Sequence, residues 1–164
     1  MAESAEGGES SNPLDLLKRF YALQEERVEA YRFLESGFSA YLEGAPNYNF
    51  DLYRSLVHEI TRSFKTISEE VINIQQQFHD IHSMCRLADC IGKVQVEEKD
   101  KLEQTVQLQL SRQGATDNPD DACQKAQVGE LQQKIQETVQ KIYDYMEDLK
   151  FESEDLYSSE GAER

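Results

Sequence analysis

The chain has 164 residues, of which 38% are hydrophobic, enough for one domain with a modest core. Its 32 acidic and 17 basic residues give a formal net charge of −15, which opposes direct binding to a nucleic-acid backbone and favours protein partners. No apolar run approaches the roughly 20 residues that a membrane span requires, so no membrane association is expected. The three cysteines, an odd number, favour a reducing compartment, and the expected location is the nucleus, the cytoplasm or both.

The spacing of apolar residues predicts an all-α fold. A first helix is expected over residues 13–42, because Asn12 can cap it and Pro13 suits its first turn. A second, longer helix is expected from about residue 50 to residue 112. Its apolar side chains alternate at steps of four and three from Tyr53 to Ala88, which is the repeat of a helix that packs along one seam.

The two helices are expected to form an antiparallel hairpin over residues 13–112. If the turn centres near residue 47, the two seams register at every position. This register predicts that Val28 contacts Ile67 and that Tyr31 contacts Phe64.

A third helix is expected over residues 119–150, after a turn at residues 113–118. Folded back on the distal half of the long helix, it would place Thr138 over Gly92, where a bend is expected. The acidic segments 1–12 and 151–164 are expected to be disordered tails. The predicted architecture is an elongated antiparallel helical hairpin, extended to a three-helix coiled-coil bundle.

A second apolar row on the first helix suggests a surface for a partner. The long helix can cover only one row, so the other row should stay partly open and dock a helix of a protein partner or of a second copy. The alternative is that the third helix or a tail folds over this row. Four large side chains define the candidate surface: Leu16, Phe20, Leu23 and Leu34.

The chemistry of the remaining side chains suggests neither a catalytic residue nor a cofactor. His79 and His82, three residues apart on a helix, are weak candidates for metal ligands, with Cys85 and Cys90 nearby. Cys85, however, falls on the core seam of the long helix, and a narrow helical seam offers no concave catalytic site. Phosphorylation is an open alternative to an unmodified tail at three serines beside acidic residues: Ser153, Ser158 and Ser159.

Two stretches carry a family resemblance. LLKRFYALQEERVEAYR, at residues 16–32, and PNYNFDLYRSLVHEITRSF, at residues 46–64, resemble the Required for excision 1-B (DNA repair) domain family. The resemblance covers roughly residues 14–110. It implies a link to excision repair of DNA and brings no catalytic residues with it.

Two functions are compatible with these features. The first is a non-catalytic helical adaptor, linked by the resemblance to DNA excision repair, whose partners are repair-associated proteins or a second copy. The second is a structural coiled-coil subunit of a cytoskeletal or trafficking assembly. Purification of partners with and without DNA damage would separate them.

Overall fold

The computed structural model describes the chain from Asn12 to Ala162, with side chains to Ser158. Most of the predicted tail at residues 1–12 lies outside the described residues. The described part is all-α and contains no strand, as the sequence predicts. It has five helices rather than three: α1 (Pro13–Glu43), α2 (Phe50–Asp80), α3 (Cys85–Asp117), α4 (Ala122–Glu152) and α5 (Glu154–Ala162). None of these helices is both long and apolar enough to cross a membrane.

Local capping explains where the first hairpin begins and turns. The Asn12 side chain accepts a hydrogen bond from the backbone N–H of Asp15 at 2.8 Å, and Pro13 occupies the first turn of α1. The Asn49 side chain accepts one from Leu52 N–H at 3.1 Å and caps α2 in the same way. Both helix starts therefore follow from asparagine caps.

The register predicted for this hairpin is confirmed at one of its two test positions. Tyr31 and Phe64 pack with ring centroids 4.7 Å apart. Val28 is 49% exposed, so its predicted place in the core beside Ile67 is wrong. Because α1 packs on α3 as well as on α2, its buried face is rotated away from the seam that a two-helix hairpin would use.

The predicted long helix is two helices. α2 ends at Asp80, and the chain reverses through residues 81–84, where Ser83 adopts a positive φ of 54°. The reversal is held by the Met84 N–H, which donates to the Phe78 carbonyl at 2.7 Å. α3 then runs antiparallel to α2. α3 continues through Gly92; a Cβ there would lie 2.8 Å from the Gln75 amide nitrogen, so glycine leaves room for the Gln75 side chain of α2.

The turn before α4 comes later than predicted. α3 continues through residues 113–117, and α4 begins at Ala122 with Asp121 as its cap. The later turn shifts the register of the α3–α4 hairpin. Thr138 therefore donates a hydrogen bond to Gln104 at 2.9 Å instead of lying over Gly92. The disordered tail predicted at residues 151–164 is not found over residues 151–162, which are helical apart from a turn at Ser153; residues 163–164 lie outside the described part of the chain.

Helices α1 to α4 alternate in direction and share an apolar core. The larger cluster joins the first half of α1, the second half of α2, the first half of α3 and the end of α4. A smaller cluster, nearer the α1–α2 turn, holds α1 against α2, with Leu102 of α3 packed on it. α5 continues from the end of α4 and contacts α1, with Leu156 packed on the larger cluster.

Candidate interaction site

The row of side chains predicted as a partner surface is buried. Phe20 and Leu23 are 0% exposed, and Leu16 and Leu34 are 4% exposed. The first three lie in the larger core cluster, and Leu34 lies in the smaller one. Because α2 folds back into α3 after Asp80, more helices surround α1 than the predicted hairpin supplies, and they cover the row. The expectation that it stays open for a partner is wrong.

The open surface of α1 faces α4 instead. Within the described residues, no Cα atom of α1 lies within 8 Å of one in α4, and a groove of about 920 Å³ separates the two helices. We call it the α1–α4 groove. Its apolar lining consists of Tyr21, Val28, Val139, Ile142, Tyr143, Met146 and Tyr157.

Three of these side chains are exposed although they are large and apolar. Val28 is 49% exposed, Tyr143 66% and Tyr157 46%. They come from α1, α4 and α5, so they converge on the groove only in the folded chain. Tyr21 lies deeper, and burial raises the pKa of its phenol, with the neighbouring Tyr157 adding to the effect.

The charged lining of the groove is predominantly acidic. Four glutamates and two lysines line it: Glu25, Glu98, Glu147, Glu154, Lys101 and Lys150. Lys101 is drawn under the groove, with its ammonium 4.1 Å from the centroid of the Tyr31 ring, and burial lowers its pKa. The groove therefore combines an apolar interior with a negative rim.

A buried polar cluster holds the floor of this groove. Arg27 is only 3% exposed and donates hydrogen bonds to Gln24 of α1, Ser68 of α2 and Gln95 of α3. Gln24 in turn donates to the Glu98 carboxylate at 3.0 Å. Burial lowers the pKa of the Arg27 guanidinium, and the nearby Glu98 partly opposes that shift. The polar cluster therefore joins three helices and positions two residues of the groove floor.

The weak metal-ligand pair does not sit as predicted. His79 is in the last turn of α2, with Nδ1 2.9 Å from an Asp80 carboxylate oxygen, whereas His82 lies beyond the end of the helix. Cys85, predicted in the core, is exposed at the start of α3, and Cys90 is buried. Residues 12–162 hold no group of three or more His, Cys, Asp or Glu side chains arranged to bind a metal ion.

The three serines of the predicted tail differ in exposure. Ser153 is 1% exposed and donates a hydrogen bond to the Lys150 carbonyl at 3.2 Å, so a kinase cannot reach it in the folded chain. Ser158 is exposed and lines the α1–α4 groove. The side chain of Ser159 lies outside the described residues.

A second, smaller apolar groove of about 240 Å³ lies between the first hairpin and α3. Val106 and Leu110 are exposed on its α3 wall. The buried Gln109 amide accepts a hydrogen bond from the Tyr53 hydroxyl at 2.5 Å, and its nitrogen has no partner within the described residues. This groove has less room than the α1–α4 groove.

Sequence reasoning missed the residues of the α1–α4 groove for two reasons. It placed Val28 in the core, and it followed only one stripe of α4. A second stripe on α4 carries the signal, since Val139, Tyr143 and Met146 recur at helical spacing beside the core stripe. A helix with two adjacent apolar stripes has one stripe left over when it packs on a single neighbour.

Comparison with known proteins identifies the lineage of the chain. Residues 15–112, which span α1, α2 and most of α3, match the family described as DNA repair REX1-B. A "Required for excision 1-B domain-containing protein" of Bos taurus is 33% identical over 140 residues, covering 85% of this chain and 76% of the relative. A protein of Mus musculus with the same name is 28% identical over 153 residues, covering 93% and 88%. No solved structure matches the chain. The chain belongs to the DNA repair REX1-B family.

Proposed function

We propose that this protein is a non-catalytic adaptor that acts in DNA excision repair by binding another protein through the α1–α4 groove. The link to repair rests on the names of the family and of the two relatives. The observation that carries the adaptor role is the convergence of exposed apolar side chains from three helices on one groove. Exposed apolar surface of this kind marks interaction sites in folded proteins.

The charge of the chain supports contact with DNA through a partner rather than directly. A net charge of −15 repels a phosphate backbone, and the rim of the groove is acidic. We therefore expect purified protein to bind duplex DNA no more tightly than about 1 μM at physiological salt. A salt-sensitive nanomolar affinity would contradict this part of the proposal.

The polar groups of the groove floor support a structural role rather than catalysis. The Arg27 guanidinium is buried and shared among side chains of three helices, and Gln24 donates a hydrogen bond to one oxygen of the Glu98 carboxylate. These hydrogen bonds hold the floor in place. A role in repair also fits a nuclear location.

The test uses cells that lack the protein and are complemented with variants of it. Val28→Ser with Tyr143→Ser removes two exposed anchors of the groove, and we expect loss of repair synthesis after ultraviolet damage. Leu52→Ser with Phe151→Ser is the matched control, because these side chains are 68% and 71% exposed and do not line the groove. The control should restore repair to the wild-type level.

Two results would overturn the proposal. Full repair by the groove variant, at normal expression and helicity, would exclude the groove as the surface that binds the partner protein. Normal repair in cells without the protein, together with damage-independent copurification of cytoskeletal or trafficking subunits, would favour the structural-subunit alternative.

A further inference from the structure

We propose that the α1–α4 groove binds a basic amphipathic α-helix of a partner protein. This inference rests on the proposed adaptor function and adds the chemical class of the ligand. It commits to one occupant, a helical segment with apolar residues on one face and lysine or arginine beside them.

The apolar part of the argument comes from the arrangement of the groove walls. Val28 projects from α1, Tyr143 from α4 and Tyr157 from α5, and each is about half exposed or more. Ile142 and Met146 lie between them and pack on the core. A helix in the groove would bury its apolar face against both walls at once, which is the helix-in-groove mode of recognition.

The length of the α4 wall suits a short helix. The lining residues of α4 run from Val139 to Lys150, about 18 Å at 1.5 Å per residue. This length corresponds to about three turns. Apolar anchors at positions i, i+4 and i+7 of a bound helix would therefore all fall within the groove.

The acidic side chains around the groove favour an occupant that carries positive charge. Glu25 on α1 and Glu147 on α4 are exposed on opposite walls, and Glu154 adds a third carboxylate where α5 begins. Lys101 does not offset them at the surface, because its ammonium lies against the Tyr31 ring, and the exposed Lys150 of α4 offsets only one of the three carboxylates. Cationic side chains flanking the apolar anchors would meet acidic residues on both sides, and the net charge of −15 would steer them in.

The same charges disfavour a second copy of this chain as the occupant. Two copies bring −15 each, and each presents an acidic rim to the other. Like charges facing one another across an interface oppose association. A basic segment of a different protein avoids this repulsion.

The test measures binding of the full chain to three synthetic 15-residue helical peptides by fluorescence anisotropy. The first carries leucine at i, i+4, i+7 and i+11 with lysine on the flanks. The second has glutamate in place of every lysine, and the third keeps lysine but has serine in place of every leucine. We expect only the first to bind with saturation, and its resonance shifts in an NMR titration should fall on α1, α4 and α5.

Matched variants separate groove binding from general attraction to an acidic protein. Glu25→Gln with Glu147→Gln should weaken binding of the lysine–leucine peptide about fivefold at low salt. Glu69→Gln with Glu103→Gln changes the charge equally at exposed positions outside the groove and should leave binding unchanged. Val28→Ser with Tyr143→Ser should weaken binding at least tenfold, and Leu52→Ser with Phe151→Ser should not.

Three outcomes would overturn the inference. These are equal weakening by the two glutamate pairs, equal binding of the glutamate peptide, and a concentration-dependent dimer that the Val28→Ser/Tyr143→Ser variant loses. The adaptor proposal fails separately. Repair lost in the groove variant, with no preference for the lysine peptide, would retain the adaptor and reject the basic helix. Selective binding of the lysine peptide, with normal repair by the groove variant, would retain the basic helix as the occupant and reject the adaptor role in repair.

Discussion

Tyr31 of α1 and Phe64 of α2 pack with ring centroids 4.7 Å apart, and the Lys101 ammonium of α3 lies 4.1 Å from the centroid of the Tyr31 ring. This contact joins three helices one turn beyond the buried Arg27. Phe64 also belongs to the smaller apolar cluster. The stability of the smaller cluster should therefore depend strongly on these two rings.

Truncation of Phe64 tests that dependence. Phe64 is 7% exposed, so Phe64→Ala should lower the free energy of unfolding by about 3–5 kcal/mol through lost burial and the cavity left behind. Urea denaturation followed by circular dichroism measures the change. Ser63→Ala, at the exposed neighbouring position, should stay within about 0.5 kcal/mol of the wild type. A loss below about 1 kcal/mol for Phe64→Ala would mean that the side chain is not in a filled core.

Charges placed on the buried row of α1 should unfold the protein. Phe20 and Leu23 are 0% exposed, so Phe20→Glu with Leu23→Glu would bury two carboxylates in an apolar cluster. We expect loss of the cooperative unfolding transition and of most helical signal. Phe33→Glu, on the same helix at a site that is 59% exposed, should fold normally. If the double variant were as helical and as heat-stable as the wild type, this row of side chains would have to lie on the surface.

Removal of the buried Arg27 guanidinium should lower the free energy of unfolding. Arg27→Ala would leave Gln24, Ser68 and Gln95 without their shared donor, and we expect a loss of about 3–5 kcal/mol. Arg32→Ala removes an exposed arginine from a surface pair with Glu29 and should change the free energy of unfolding by less than about 0.5 kcal/mol. Equal losses in the two variants would mean that Arg27 is hydrated rather than buried.

Thiol labelling reports where α3 begins. Cys85 and Cys123 are exposed, whereas Cys90 is buried and the pKa of its thiol is raised by burial and by nearby carboxylates. An alkylating reagent at neutral pH should modify Cys85 and Cys123 first and Cys90 only after unfolding. Mass spectrometry of the peptides identifies each site. Protection of Cys85 would instead favour the uninterrupted long helix.

Alkaline pH should destabilise the fold in part through Tyr31. Burial raises the pKa of its phenol above the usual value, and nearby Glu98 adds to the shift. The folded state therefore keeps this proton when the unfolded chain releases it above about pH 10, so this contribution to stability is lost as the pH rises further. Burial lowers the pKa of Lys101, so its contribution to the free energy of unfolding changes with rising pH in the opposite direction to that of Tyr31.

Tyr31→Phe removes the phenol and keeps Lys101. The free energy of unfolding of this variant, measured by urea denaturation between about pH 8 and pH 11, should fall less steeply than that of the wild type. An unchanged or steeper slope would contradict a buried phenol at this position.

Several features of the protein were determined by local sequence. Asn12 and Asn49 cap their helices through their own side chains, and the heptad spacing places Tyr31 opposite Phe64 across a short turn. These contacts depend on residues close in sequence or on one tight hairpin. Periodicity and capping chemistry are sufficient to predict them, because the caps are local and the packing of α3 leaves Tyr31 against Phe64.

Tertiary packing decided the rest. No Gly or Pro marks the reversal at residues 81–84, and the apolar repeat runs through it unbroken. The chain reverses there because folding α3 back on α2 buries more apolar surface, with Ile91 and Val94 at 0% exposure, than an extended helix can. That reversal covers Phe20 and Leu23. Val28 then faces α4, so the groove exists only when separate helices meet.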